Sequence, residues 1–311
     1  MSEEEVRLNF ALERSAAIEK YRFGIQQALA RASFLDSSEL VTLQAFILYL
    51  SVARCSDESR AGVALARSAI AVAQSMGLQR DGTGFGLPPL EIELRRRLWW
   101  QIFILDLRDS EKHSIEPNID IDSFDTKRPL NINDSDLTPD NRTHPTAREG
   151  LTDMTIALIS CEISSAMFSM QWSPKETNKS NAGIKFKKLE EKEEKIREFA
   201  LLLEDRYIKY CTDESPLALL VTTMCKLIIC KLQTIVRLPL ARSILDDETS
   251  QLVKDRMFIT AIEVVELRRQ LEGDLTKHWH WYLNTIVQWH AVAYLLSELC
   301  VREQDENVAR A

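Results

Sequence analysis

The chain has 311 residues, 45% hydrophobic and 28% charged, with 9 Gly, 9 Pro and 6 Cys. That composition excludes low-complexity, collagen-like and disulfide-scaffold chains. Lys and Arg number 39 against 47 Asp and Glu, a net charge of −8 and the wrong sign for a domain that binds by neutralising phosphates. No direct nucleic acid binding by this chain is expected.

Cys55, Cys161, Cys211, Cys225, Cys230 and Cys300 are dispersed, with no C-x2-C pair. A structural zinc site needs closely spaced ligands that converge on a tetrahedron, so no metal is expected. The thiols read instead as small buried hydrophobes of a reducing compartment. The start, MSEEEVRLNF, carries no apolar targeting segment, and no stretch is read as a membrane span, so a soluble intracellular chain is expected.

Apolar residues recur at helical spacing, and the fold class is read as all-α. A first helix is expected over 4–32, with Gly24 as its weak point, forming an N-terminal segment 1–35 ahead of one domain over 36–311. Asp36 and Glu39 have capping-box spacing ahead of the stripe Leu40, Leu43, Phe46, Ile47 and Leu50. A further helix through AGVALARSAIAVAQSM should stop at Gly77 in a left-handed cap. QRDGTGFGLPP must be a loop. Its G-x-G lacks the third Gly of a dinucleotide fingerprint and the G-K-S/T of a Walker loop. Pro89 then suits the first turn of LEIELRRRLWWQIFILDLRDSEK.

Residues 112–145 hold four of the nine prolines and many Asp and Asn, so they read as an ordered crossover loop. Helices are expected over 146–170 and along KLEEKEEKIREFALLLEDRYIKY, separated by a mobile insertion at 173–183. Three more are expected near 215–238, 247–272 and 278–304, with Pro239 ending the first.

The helix holding RRRLWW is apolar over more than half its circumference. Trp99, Phe103 and Asp106 share one stripe, and Trp100, Ile104 and Leu107 the next. Such a helix belongs at the centre of an array. Asp106 on that face needs a partner, either an Arg from elsewhere or backbone N–H groups of the crossover. Arg95, Arg96 and Arg97 are read as pairing with local carboxylates and pinning the loop to the core, rather than as a DNA-binding face.

ARSAIAVAQSMGLQRDG, then ELRRRLWWQIFILDLRDS, then PNIDIDSFDTKRPLNINDSDL, resembles the fungal-specific transcription factor domain, the middle homology region of binuclear zinc-cluster regulators. Its anchors are Gly77, Leu78, Arg80 and Asp81, then Arg95 to Trp100 and Asp106, then Pro129, Asn131, Asp134 and Leu137. WHWYLNTIVQWHAVAYLLSELCVR is similar to the closing part of the same domain. The resemblance implies transcription regulation in the nucleus through protein partners, a full-length zinc-cluster regulator among them, or through a small effector. No zinc cluster precedes these segments in the sequence, which implies either a fragment or a protein without its own DNA reader. Gln79, Ala71, Val63 and Ser114 to Pro117 stand where the family commonly has His, Arg, Trp and a Gly-Arg pair.

No assembled catalytic motif is present, and the chain is read as a non-enzyme that needs no cofactor. His278 and His280 would point about 200° apart on a helix and cannot share an ion. With its neighbours, the cluster reads chiefly as packing, and Trp281, Trp289 and His290 as the possible wall of a helix-lined pocket. Asp106, Asp109 and Glu111 faintly resemble the metal motif of class I terpene cyclases, but no second motif accompanies them. The alternative is a fold recruited as an enzyme or small-molecule binder of secondary metabolism.

Overall fold

The computed structural model describes residues 3–53, 60–171, 182–213, 215–241, 248–283, 289–302 and 306–310. Twelve α-helices and short 3₁₀ turns make up the regular structure of these residues, with no strand among them. The all-α class is thus observed. The chain divides into two compact units, one of residues 1–129 with 137–145, the other of 130–136 with 146–311. The 112–145 crossover therefore contributes to both.

The first unit begins with α1 (Glu3–Phe10) and α2 (Arg14–Arg31), where one helix was expected. The break is at Ala11, which adopts a left-handed φ of 53°. Arg7 reaches across it to Glu13 at 2.9 Å, and Phe10 meets Tyr21 edge-on at 5.7 Å. Gly24, with open space around its Cα, stays inside α2. The start of α3 (Leu40–Ala53) also differs from expectation. Ser33, at φ 48°, closes α2, and its carbonyl accepts the Asp36 N–H at 2.8 Å. That turn draws Asp36 away from the next helix, and the Ser37 hydroxyl accepts the Glu39 N–H instead.

The described part of α4 (Arg60–Ser75) ends as its glycine predicts. Gly77 takes φ 74°, and the Leu78 N–H bonds back to the Ala73 carbonyl, the 6→1 bond of a Schellman cap. Pro89 opens α5 (Pro89–His113), which packs on both α3 and α4. Trp99 and Phe103 of α5 are fully buried, as are Phe46 of α3 and Ala73 of α4. The central position expected for the RRRLWW helix is observed within this unit.

In the second unit, α6 (Thr155–Gln171) starts nine residues later than expected. The Thr155 hydroxyl accepts the Thr152 N–H at 2.7 Å, and the Thr152 hydroxyl accepts the Met154 N–H at 3.2 Å. Such local side-chain bonds compete with helix hydrogen bonds and delay the start. The insertion expected at 173–183 lies outside the described residues up to 181; α7 (Ala182–Arg206) takes the rest.

The core of this unit is α8 (Pro216–Ala241), packed against α6, α7, α9 (Glu248–Leu271) and α11 (Trp289–Leu299). Pro239 does not end it: the proline lies inside α8, which is described to Ala241. Pro216–Pro239 is also long and apolar enough to cross a membrane, contrary to the reading that no stretch is. Its composition follows from its place at the core, where 61% of the window is buried by protein. The helix expected over 278–304 is described as a 3₁₀ turn (Asp274–Trp279), α10 (His280–Leu283) and α11, with 284–288 outside the described residues. A last short helix, α12 (Glu306–Arg310), follows. Cys161, Cys225 and Cys230 are buried as expected, Cys211 is partly covered, and Cys300 is exposed; Cys55 lies outside the described residues.

Candidate functional site

In the first unit the signature residues converge on the turn after α4 and the crossover. The Arg96 guanidinium donates to both oxygens of Asp81, Nε at 2.8 Å and Nη2 at 2.9 Å, with both side chains buried. Asp81 also caps the following 3₁₀ turn by accepting from the Thr83 N–H and hydroxyl, at 3.2 and 2.6 Å. It accepts a fifth hydrogen bond from the crossover, the Lys127 N–H at 3.0 Å. Burial alone would raise the Asp81 pKa, but the bonds from Arg96, Thr83 and Lys127 outweigh it and hold the carboxyl well below its usual range.

The other two arginines have separate tasks. Arg95 donates Nη2 to the Met76 carbonyl at 2.7 Å, satisfying a C-terminal carbonyl of α4. Arg97 pairs with buried Glu93 one turn earlier, at 3.0 Å. All three arginines are thus engaged by local groups.

The crossover is laced to this frame at two levels. Asp125 accepts the Asp81 N–H at 2.8 Å, and the Thr126 hydroxyl donates to the Leu78 carbonyl at 2.6 Å. The Trp100 indole donates to the Lys127 carbonyl at 3.0 Å, and the Arg128 guanidinium lies 5.5 Å from its ring centroid. Phe124 inserts between Trp99, Trp100 and Phe103 with centroids 5.5–5.6 Å away. Pro129, the last residue of the first unit before the crossover changes sides, is buried.

One turn further along α5, buried Asp106 accepts the Asn118 N–H at 2.7 Å, the Asn118 side-chain amide at 2.7 Å and the Ile119 N–H at 2.8 Å. Of the two partners expected for Asp106, the loop N–H groups are those observed. With both oxygens occupied and Asp109 also buried, this pair offers no open face to a diphosphate-bound metal. Among the described residues, no group of three or more His, Cys, Asp or Glu is placed to hold a metal ion.

Of the later signature residues, Leu137 belongs to the first unit, and Asn131 and Asp134 to the second. Asn131 donates to the Arg148 and Gly150 carbonyls at 2.8 and 2.9 Å and accepts from the Thr152 hydroxyl at 2.7 Å. Asp136 pairs with Arg148, and Asp134 donates its N–H to Asp153 at 3.0 Å.

Trp281 is 56% exposed, with its ring edge-on to Tyr282 at 5.9 Å, and His290 is exposed. The side chain of Trp289 lies outside those described. A cavity of about 480 Å³ lies elsewhere in this unit, between α7, α8 and α9. Its floor and rim come from positions one turn apart, such as Cys225, Ile229 and Gln233 on α8 with Glu263, Glu266, Leu267 and Gln270 on α9. That i, i+4 and i, i+3 recurrence is visible in the sequence, but nothing there marks it as concave.

The model of the fungal-specific transcription factor domain matches residues 1–208. The chain is similar to the aurofusarin cluster transcription factor aurR2 of Gibberella zeae, 29% identical over all of this chain and 46% of that protein. It is 38% identical to the pyriculol/pyriculariol biosynthesis cluster transcription factor 1 of Pyricularia oryzae, over 48% of this chain and 20% of that protein. To the C6 finger domain transcription factor hasF of Aspergillus fumigatus it is 36% identical, over 51% of this chain and 22% of that protein. No solved structure matches. The chain spans less than half the length of these relatives. With the domain model matched over two thirds of its length, the chain belongs to the fungal-specific transcription factor domain family.

Proposed function

We propose that the chain acts in the nucleus as a regulatory module for transcription of a fungal secondary-metabolite gene cluster, through protein contacts and without catalysis of its own. The observation that carries this reading is the alignment with a cluster transcription factor along the whole chain. A full-length zinc-cluster regulator is the partner the family suggests. The surface of α3 supports a docking role. Its inner side is buried in the first unit, yet Val41, Leu48 and Val52, spaced i, i+7, i+11, are 72%, 66% and 59% exposed. An apolar stripe of this spacing fits a second helix. Placing a charge on this exposed stripe, Leu48→Glu, should remove docking while leaving the core untouched.

Deletion of the gene tests the regulatory reading against that of a recruited enzyme. Loss of transcripts across a neighbouring gene cluster is expected. Unchanged transcripts with one accumulated pathway intermediate would overturn the proposal in favour of an enzyme.

A further inference from the structure

The cavity between α7, α8 and α9 has the dimensions of a small-ligand site, a class that runs from about 300 to 1,000 Å³. Its floor is apolar and soft, with Leu203 from α7, Ile229 and the two thiols Cys225 and Cys230 from α8, and Leu267 from α9. Burial, reinforced by neighbouring carboxylates, pushes both thiols up to about 12, so they face the space as neutral, polarisable groups. The Cys230 S–H donates to Glu263 Oε2, at 3.7 Å.

The rim is polar and acidic. It carries Glu204, Glu263 and Glu266 against one lysine, Lys226. Glu266 is already neutralised by Arg310 of α12, whose Nε lies 2.7 Å from its carboxylate. Glu204 and Glu263 make no ion pair among the described residues, and each keeps acceptor capacity toward the cavity. A ligand that fits must therefore bring a flat or compact apolar body and hydrogen-bond donors. An acid would place its charge among the carboxylates of Glu204, Glu263 and Glu266, facing Lys226 and an Arg310 already held by Glu266 and acting on Glu263.

We propose that this cavity is an effector site for a neutral fused-ring aromatic compound bearing hydroxyl donors, its rings on the Cys225–Cys230 floor and a hydroxyl donating to Glu263. The effector role rests on the regulatory reading above; the binding does not. Titration calorimetry of the full chain at pH 7 with naphthalene-2,7-diol, set against naphthalene-2-carboxylate, tests it without any substitution. The diol should bind at least tenfold more tightly than the acid. Glu263→Gln, at the rim, should weaken the diol about tenfold, the loss of one charge-assisted hydrogen bond. Ala200→Phe, which fills the space from α7, should abolish binding, with circular dichroism confirming that both variants fold. Equal or tighter binding of the acid, no binding of the diol at millimolar concentration, or indifference to both substitutions would overturn the site. Calorimetry reads binding whether or not transcription responds. A silent titration beside an active transcriptional reporter counts against the cavity alone, and a saturable one beside a silent reporter supports the cavity and counts against the regulatory reading.

Discussion

Arg96 grips both oxygens of Asp81 at 2.8 and 2.9 Å, and this buried fork ties α5 to the turn that leaves α4. Because the Lys127 N–H lands on the same carboxylate, one pair fixes two chain segments that lie 46 residues apart.

Removing one partner leaves the other charged and buried. Arg96→Ala should cost about 3–5 kcal/mol of the stability of the first unit. Arg96→Lys should recover only part of it, since an ammonium cannot reproduce the two-pronged geometry. Chemical denaturation followed by tryptophan fluorescence, which reports Trp99 and Trp100 in this unit, checks both.

Acid should release the same fork. The folded-state pKa of Asp81 is depressed, so its stabilisation is complete above the unfolded value of about 3.9 and is lost as the pH falls through the folded one. Stability should therefore decline below about pH 4. In Asp81→Asn the level should be lower at neutral pH and the acid slope shallower, as measured by urea midpoints from pH 2 to 7.

Asp106 accepts two backbone N–H groups and one amide from the start of the crossover. Asp106→Ala should cost about 3–5 kcal/mol, because the Asn118 and Ile119 donors would be left buried without partners. Hydrogen exchange localises the effect: the amides of residues 118 and 119 should lose protection before those of α5.

Ser114 closes α5 in a left-handed conformation, φ 54°. An L-residue pays about 1–2 kcal/mol there, partly offset by the greater freedom of Gly in the unfolded chain, about 0.5–1 kcal/mol. Ser114→Gly should stabilise the first unit by about 0.5 kcal/mol. Thermal unfolding of the two proteins side by side decides it.

Much of the frame was legible where local chemistry speaks for itself. Gly77 marked the end of α4, Pro89 the start of α5, and the two-stripe apolar pattern around Trp99 and Trp100 placed α5 at a core. Asp106 could be seen to need a partner, because a carboxylate on an apolar stripe must be satisfied. Its actual partners, 12 and 13 residues on, like the insertion of Phe124 among three rings and the bonds from Arg96 and Lys127 to Asp81, arise from pairing between separate segments, which leaves no periodic trace. The helix break at Ala11 and the turn at Ser33 went unread for another reason. Both place an ordinary residue at positive φ, a conformation that sequence signals only through Gly or Asn. The cavity was equally hidden, since its walls are ordinary amphipathic positions on three helices and only their packing makes them concave.

The most direct test of the regulatory account is a fusion of this chain to a foreign DNA-binding domain, assayed on a matching reporter in a filamentous fungus. Reporter output should change, and Leu48→Glu on the α3 stripe should abolish that change without lowering the amount of folded protein. A reporter that never responds, with no nuclear protein recovered on the chain, would contradict it.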